Sequence, residues 1–237
     1  MKAIEFIAFD LDGTLLDTAK DFFLAVNELR SKYKLEPCEF DEIRSRVSEG
    51  AISLATYALA LDDNEKDDIE FHRQELLKIY DSCCLNETTP FKGINKLLNQ
   101  INDAGLKWGI VTNKPESFAE KIVNYFFSSY KPSCLICPEH TGERKPSPKG
   151  LLKACELVGS EPSTSIYVGD HLIDIEAGRR ANIKTVAAAY GYIPKGQTCS
   201  DWKADFIAES PSHIKDCLLY TSPSPRDRSL SRMPSSA

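Results

Sequence analysis

The sequence predicts an α/β protein: a doubly wound parallel-sheet core carrying an inserted all-helical cap domain. Three observations predict it. Beyond residue 90, short apolar runs alternate with stretches of helical periodicity, the pattern of a parallel sheet with crossover helices. Between residues 16 and 89 the apolar spacing is helical throughout, with no strand alternation. Acids, a hydroxyl and a lysine fall just after the predicted strands, where open α/β sheets gather their chemistry.

The elements follow in order. Ile4 to Phe9 is an almost uninterrupted apolar run, suited to a strand buried on both faces, and it ends at Asp10-Leu11-Asp12-Gly13-Thr14. Thr18 and Asp21 have capping-box spacing, with Asp in the usual place of Glu or Gln. Phe22, Val26, Leu29 and Tyr33 then recur at helical spacing, until Pro37 breaks the pattern. Ala51, Leu54, Ala58 and Leu61 mark a second amphipathic helix; Ile69, Leu76, Leu77 and Tyr80 mark a third. Thr88-Thr89-Pro90 reads as the return hinge, so a core of residues 1–15 and 90–219 and a cap of residues 16–89 are expected.

Past the hinge, helices are predicted over 93–104, 115–127, 147–158 and 173–181. Strands are predicted over 108–111, 133–137, 165–168, 183–187 and 204–207, with a terminal helix after the last. Residues 220–237 are rich in Ser, Pro and Arg and lack periodicity. They are expected to be disordered, and they read like translated non-coding or adapter sequence.

Composition narrows the function. With 237 residues, 42% of them hydrophobic, the chain can bury a real core. Its formal charge of −6, or −8 without the last 17 residues, gives no electrostatic footprint for nucleic acid. No signal peptide and no membrane-spanning apolar stretch is apparent, so a cytoplasmic protein is expected. The eight cysteines are expected to be free thiols. Cys134-x-x-Cys137-x-x-His140 has metal-like spacing but no obvious fourth ligand.

The two acids Asp10 and Asp12 would repel unless a cation sat between them, and Mg²⁺ with oxygen ligands is the simple solution. One carboxylate can then attack as a nucleophile while the other moves a proton. Gly13 would permit the turn that follows. The plainer reading of the same five residues is a strand-to-helix turn capped by Asp and Thr.

Asp10-Leu11-Asp12-Gly13-Thr14 resembles the first motif of the haloacid dehalogenase-like phosphatases. Three further stretches resemble the other motifs of that family, in order: Ile110-Val111-Thr112-Asn113, Arg144-Lys145-Pro146, and Val168-Gly169-Asp170-His171-Leu172-Ile173-Asp174. The resemblance spans roughly residues 4 to 219 and implies a Rossmann-like core. It implies that Asp10 is the nucleophile, forming an aspartyl-phosphate, and that Asp12 is the general acid and base. Thr112, with backbone N–H groups near Asn113, and Lys145 would bind the phosphoryl group. Asp170 would ligate Mg²⁺ with Asp10 and the Asp12 carbonyl, and Asp174 would stand behind the metal or orient Lys145. His171 receives no role from the family.

The insertion resembles the family's cap, whose closure would exclude water and choose the substrate. Arg44 to Gly50 matches a cap loop of the phosphoglycolate phosphatase group, and Arg46 could pair with a substrate carboxylate or sugar oxygen. That loop, Thr112-Asn113-Lys114-Pro115, and Ala189-Tyr190-Gly191-Tyr192-Ile193 with Trp202-x-Ala204-Asp205 resemble the same group. A monomer or homodimer hydrolysing a small phosphorylated metabolite like 2-phosphoglycolate is therefore expected. An N-acetylmuramic acid 6-phosphate phosphatase, a sugar phosphomutase of the same fold and a non-catalytic binding protein remain open alternatives.

Overall fold

A computed structural model of the chain describes residues 3–62, 64 and 66–215. The expected tail at 220–237 lies outside them. Six parallel strands form the sheet: β1 (Phe6–Phe9), β4 (Lys107–Val111), β5 (Leu135–Ile136), β6 (Ser165–Gly169), β7 (Lys184–Ala188) and β8 (Phe206–Ala208), in the order β5-β4-β1-β6-β7-β8. Numbers β2 (Leu16–Asp17) and β3 (Thr89–Pro90) belong to a separate antiparallel pair.

β1 lies between its two neighbours, with Phe9 level with Ile110 on one side and Val168 on the other. The chain lays down strands on one side of β1 and then on the other, so β1 sits at a topological switch point. Every residue of β1 and β6 is buried, which explains their continuous apolar runs. The crossover helices are α5 (Ile94–Asp103), α6 (Glu116–Phe127), α7 (Lys149–Val158) and α8 (Leu172–Arg180). Predicted elements recur at their positions with ends shifted by a few residues; the strand predicted over 133–137 shortens to β5.

The insertion holds four helices: α1 (Ala19–Lys32), α2 (Phe40–Arg44), α3 (Ala51–Leu59) and α4 (Lys66–Cys83). Helices α1 and α4 pack together, with Phe22 and Tyr80 stacked at 4.0 Å between ring centroids and 7° between planes. One continuous apolar cluster runs from β1 through Leu29, Leu54 and Leu76 of the insertion, so the helices share a core with the sheet. No helix among the described residues is long and apolar enough to cross a membrane.

The capping box read from Thr18 and Asp21 does not form. Thr18 makes no side-chain cap; its hydroxyl donates to Asp12 Oδ1 at 2.7 Å. Asp21 is fully buried and accepts from Glu87 N at 2.9 Å, Thr88 N at 3.0 Å and Thr88 Oγ1 at 2.7 Å. The returning chain carries donors that would otherwise be buried unpaired, and a carboxylate satisfies three of them at once. The open amides at the start of α1 turn instead to the Tyr192 hydroxyl, which accepts from Thr18 N at 2.6 Å and Ala19 N at 2.9 Å.

Candidate active site

Because the strands are parallel, the residues that follow β1, β4 and β6 emerge on one edge of the sheet. Asp10 leaves β1, Thr112 leaves β4 and Asp170 leaves β6. Ligand oxygens of Asp10, Asp170 and Asp174 come within 4.8 Å of one another, all three residues buried. Gly13, at φ +83°, makes the tight passage beside them possible. A Cβ on Gly13 would stand 2.6 Å from Asp170 Cγ and 2.8 Å from its Oδ1. Gly191 approaches Asp170 from the other side, and a Cβ there would meet Asp170 Cγ at 2.9 Å.

Lys145 enters from the loop between β5 and α7. Its Nζ lies 2.8 Å from Asp10 Oδ1, 2.7 Å from Asp174 Oδ1 and 2.9 Å from the Tyr167 hydroxyl. Burial works against its charge, yet Asp10 and Asp174 outweigh it and hold the lysine above its ordinary range. Asn113 fixes the lysine's backbone, accepting from Lys145 N at 2.8 Å and donating to Lys145 O at 3.2 Å. The Asn113 amide is therefore committed to positioning Lys145. The Thr112 hydroxyl accepts from Lys114 N at 3.2 Å and lines the cavity.

The acids respond to this crowding. Burial pushes Asp10 up to about 6, Lys145 opposing and Asp174 adding to the shift. Burial, with Asp10 and Asp174, pushes Asp170 up to about 8. Asp10 Oδ1 is buried, with the Lys145 ammonium at 2.8 Å as its counter-charge. Three buried acids with oxygens this close, and Lys145 the cation between Asp10 and Asp174, fit a divalent cation, which would replace the protons these groups otherwise favour. Asp10 and Asp170 could ligate it. Asp174 is already engaged by Lys145 and by His171 N at 3.1 Å.

His171 is the N-cap of α8, its Nδ1 accepting from Ile173 N at 3.3 Å, and burial lowers its pKa. Arg46 is not brought to the cavity: it pairs with Glu42 at 2.8 Å and lies 4.0 Å from the Tyr57 ring centroid. The cysteine–histidine stretch is a local turn, with Cys137 N donating to His140 Nδ1 at 2.9 Å and His140 Nε2 against Glu116 at 2.7 Å. Burial pushes the thiols of Cys134 and Cys137 up to about 12, which disfavours thiolate ligation.

Four residues without a sequence-predicted role complete the site. Lys114 Nζ meets Asp12 at 3.0 and 3.1 Å and the Tyr80 hydroxyl at 3.1 Å, bridging the core to α4. Ser48 Oγ, from the insertion, donates to Asp170 Oδ2 at 3.0 Å. Tyr192 N donates to the same oxygen at 2.9 Å. Arg73 lines the cavity from α4. The apolar period that revealed Tyr80 as a core position signals its burial but not its hydroxyl contact. The resulting cleft measures about 630 Å³, open mouth included, and is lined by Asp10, Asp12 and Lys145 together with Phe22, Leu77 and Phe118. A buried acid, a second acid and a lysine in one cleft can bind a phosphoryl group and attack it.

Comparison with known proteins agrees with this geometry. The sequence profile of the haloacid dehalogenase-like hydrolases matches residues 7–188. An N-acetylmuramic acid 6-phosphate phosphatase from Pseudomonas aeruginosa is 42% identical, over 90% of this chain and 93% of its own length. A phosphoglycolate phosphatase from Xylella fastidiosa is 34% identical, over 86% and 89%. The crystal structure of a predicted phosphoglycolate phosphatase from Haemophilus somnus superposes with a TM-score of 0.81 at 23% identity, covering 92% of this chain and 99% of that one. With strands, insertion and acids in these positions, the chain belongs to the haloacid dehalogenase-like hydrolase family.

Proposed function

We propose that this protein is a Mg²⁺-dependent cytoplasmic phosphatase acting on N-acetylmuramic acid 6-phosphate. The observation that carries the substrate is the 42% identity to the Pseudomonas aeruginosa phosphatase over nearly its whole length, against 34% for the phosphoglycolate phosphatase. It reverses the order expected from the sequence motifs, which put 2-phosphoglycolate first; that substrate is the second reading.

The chemistry follows from the residues. Asp10 attacks phosphorus to give an aspartyl-phosphate, and the P–O bond to the sugar breaks. Asp12 gives its proton to the departing sugar oxygen and later takes one from the water that hydrolyses the acyl phosphate. Lys145, held by Asp174 and by the Asn113 grip on its backbone, neutralises a phosphoryl oxygen, and the Thr112 hydroxyl donates to another. Asp10, Asp170 and the Asp12 carbonyl would hold Mg²⁺, which would supply neutralisation of phosphoryl charge. Ser48 reaching Asp170 lets the insertion close against the metal ligands and keep water out.

The test is phosphate release by purified protein with Mg²⁺ from N-acetylmuramic acid 6-phosphate, 2-phosphoglycolate and common sugar phosphates, beside the Asp10→Asn variant. The first substrate is expected to lead in kcat/KM and the variant to be inactive but folded. A lead for 2-phosphoglycolate replaces the substrate assignment; full activity in Asp10→Asn removes the nucleophile.

A further inference from the structure

Both lysines of the cleft are already engaged by its acids. Lys145 faces Asp10 and Asp174, and Lys114 faces Asp12. Two further cations line the same cavity, Arg73 from α4 and Arg144 from the loop before α7. Arg73 is mostly buried, 14% of its side chain exposed, and spends one N–H on Glu70 at 2.6 Å. The Arg144 side chain makes no hydrogen bond or ion pair among the described residues, and Glu70 lies near enough to feel its charge. Two guanidinium groups against one carboxylate leave one net positive charge among them, with most of their N–H groups unspent. Arg144 immediately precedes Lys145, so its backbone is about 3.8 Å from the residue that holds the nucleophile.

We infer that Arg73 and Arg144 form a subsite for a carboxylate on the substrate, separate from the phosphoryl site, and that it sets specificity. The inference rests on the phosphatase reading above. A guanidinium offers parallel N–H groups that match a carboxylate, and one surplus positive charge balances a singly charged group better than a second phosphate. The substrates named for the relatives, N-acetylmuramic acid 6-phosphate and phosphoglycolate, both carry a carboxylate as well as a phosphoryl ester. Phe22, Leu77 and Phe118 line the same cleft and suit the uncharged body of a sugar. One arginine comes from the insertion and one from the core, so a carboxylate bridging them would also hold the cleft shut.

The experiment compares kcat/KM for N-acetylmuramic acid 6-phosphate and N-acetylglucosamine 6-phosphate, which has a hydroxyl in place of the lactyl ether and so lacks the carboxylate. Wild type is expected to favour the first by about 100-fold, chiefly through KM. Arg144→Gln and Arg73→Gln should each lower that ratio about tenfold, and the double variant should bring it near one. Arg144 is exposed, so its variant is expected to fold. As a readout on unaltered protein, free N-acetylmuramic acid should compete more strongly than N-acetylglucosamine. A ratio unmoved in the double variant, or a parallel fall on both substrates, overturns the subsite. Equal wild-type turnover of both sugars overturns it while leaving the phosphatase standing; turnover of neither overturns both.

Discussion

Gly191→Ala isolates the part of the site that the strand-end motifs do not contain. The added Cβ would lie 2.9 Å from Asp170 Cγ and overlap Asp170 Cβ and the Gly13 carbonyl oxygen. Carbon atoms in ordinary contact sit about 3.5–4.0 Å apart, so the loop must retreat by roughly 1 Å. That retreat strains a packed region at about 1–3 kcal/mol. It also pulls Tyr192 N from Asp170 Oδ2, a bond to a carboxylate worth about 1.5–3 kcal/mol. Together these predict a loss of about 3–5 kcal/mol. For a chain of this size, each kcal/mol moves Tm by about 2–4 °C, so a fall of about 10 °C is expected. Thermal unfolding with and without Mg²⁺ reads it, and the stabilisation by Mg²⁺ should shrink as well, since Asp170 is displaced. A variant within 2 °C of wild type with unchanged Mg²⁺ response would refute the claim that this glycine makes room for Asp170.

Three further outcomes follow from the same geometry. The raised pKa values of Asp10, about 6, and Asp170, about 8, mean the folded state favours their protonated forms, a contribution complete below the ordinary value of 3.8 and lost as pH rises through 6 to 8. Metal-free protein should therefore lose Tm between pH 5 and 8.5 while the upward shift with Mg²⁺ grows; a pH-independent shift would contradict this. Asp21→Ala leaves the Glu87 and Thr88 donors without their acceptor and should cost about 3–5 kcal/mol in denaturant unfolding; a change below 1 kcal/mol would show that the hinge finds other partners. Lys114→Met removes the cation from Asp12 and should lower kcat about 10- to 100-fold with a smaller change in KM, whereas an effect confined to KM would make Lys114 a substrate contact only.

The strand-end residues were legible in the sequence for a physical reason. A buried parallel strand must be apolar along its length, so the polar residue that ends it stands out, and Asp10, Thr112 and Asp170 all stand at such ends. Lys145 was legible through its motif. What local spacing cannot see is a partner distant in the chain. Thr18 and Asp21 looked like a capping box because the spacing fits one, but Asp21 bonds residues 66 and 67 positions away. Arg46 looked substrate-facing because its loop matches a motif, yet Glu42 and Tyr57 hold it elsewhere. Lys114 beside Asp12 depends on a contact across 102 positions.

The span of these contacts has a consequence for how the protein comes into being. Thr14 bonds Asp170 across 156 positions, and Thr18 bonds Tyr192 across 174. Thr14 and Thr18 leave the ribosome well before Asp170 and Tyr192, the groups that complete their surroundings. Until residue 192 emerges, the nascent chain carries Asp170 without the Tyr192 amide and α1 with its leading amides uncapped. Loop closure over such distances is slow, so acquisition of activity should lag behind formation of the helical insertion during synthesis. A chain stopped before Tyr192 would present the opening motif in full and still be unable to use it.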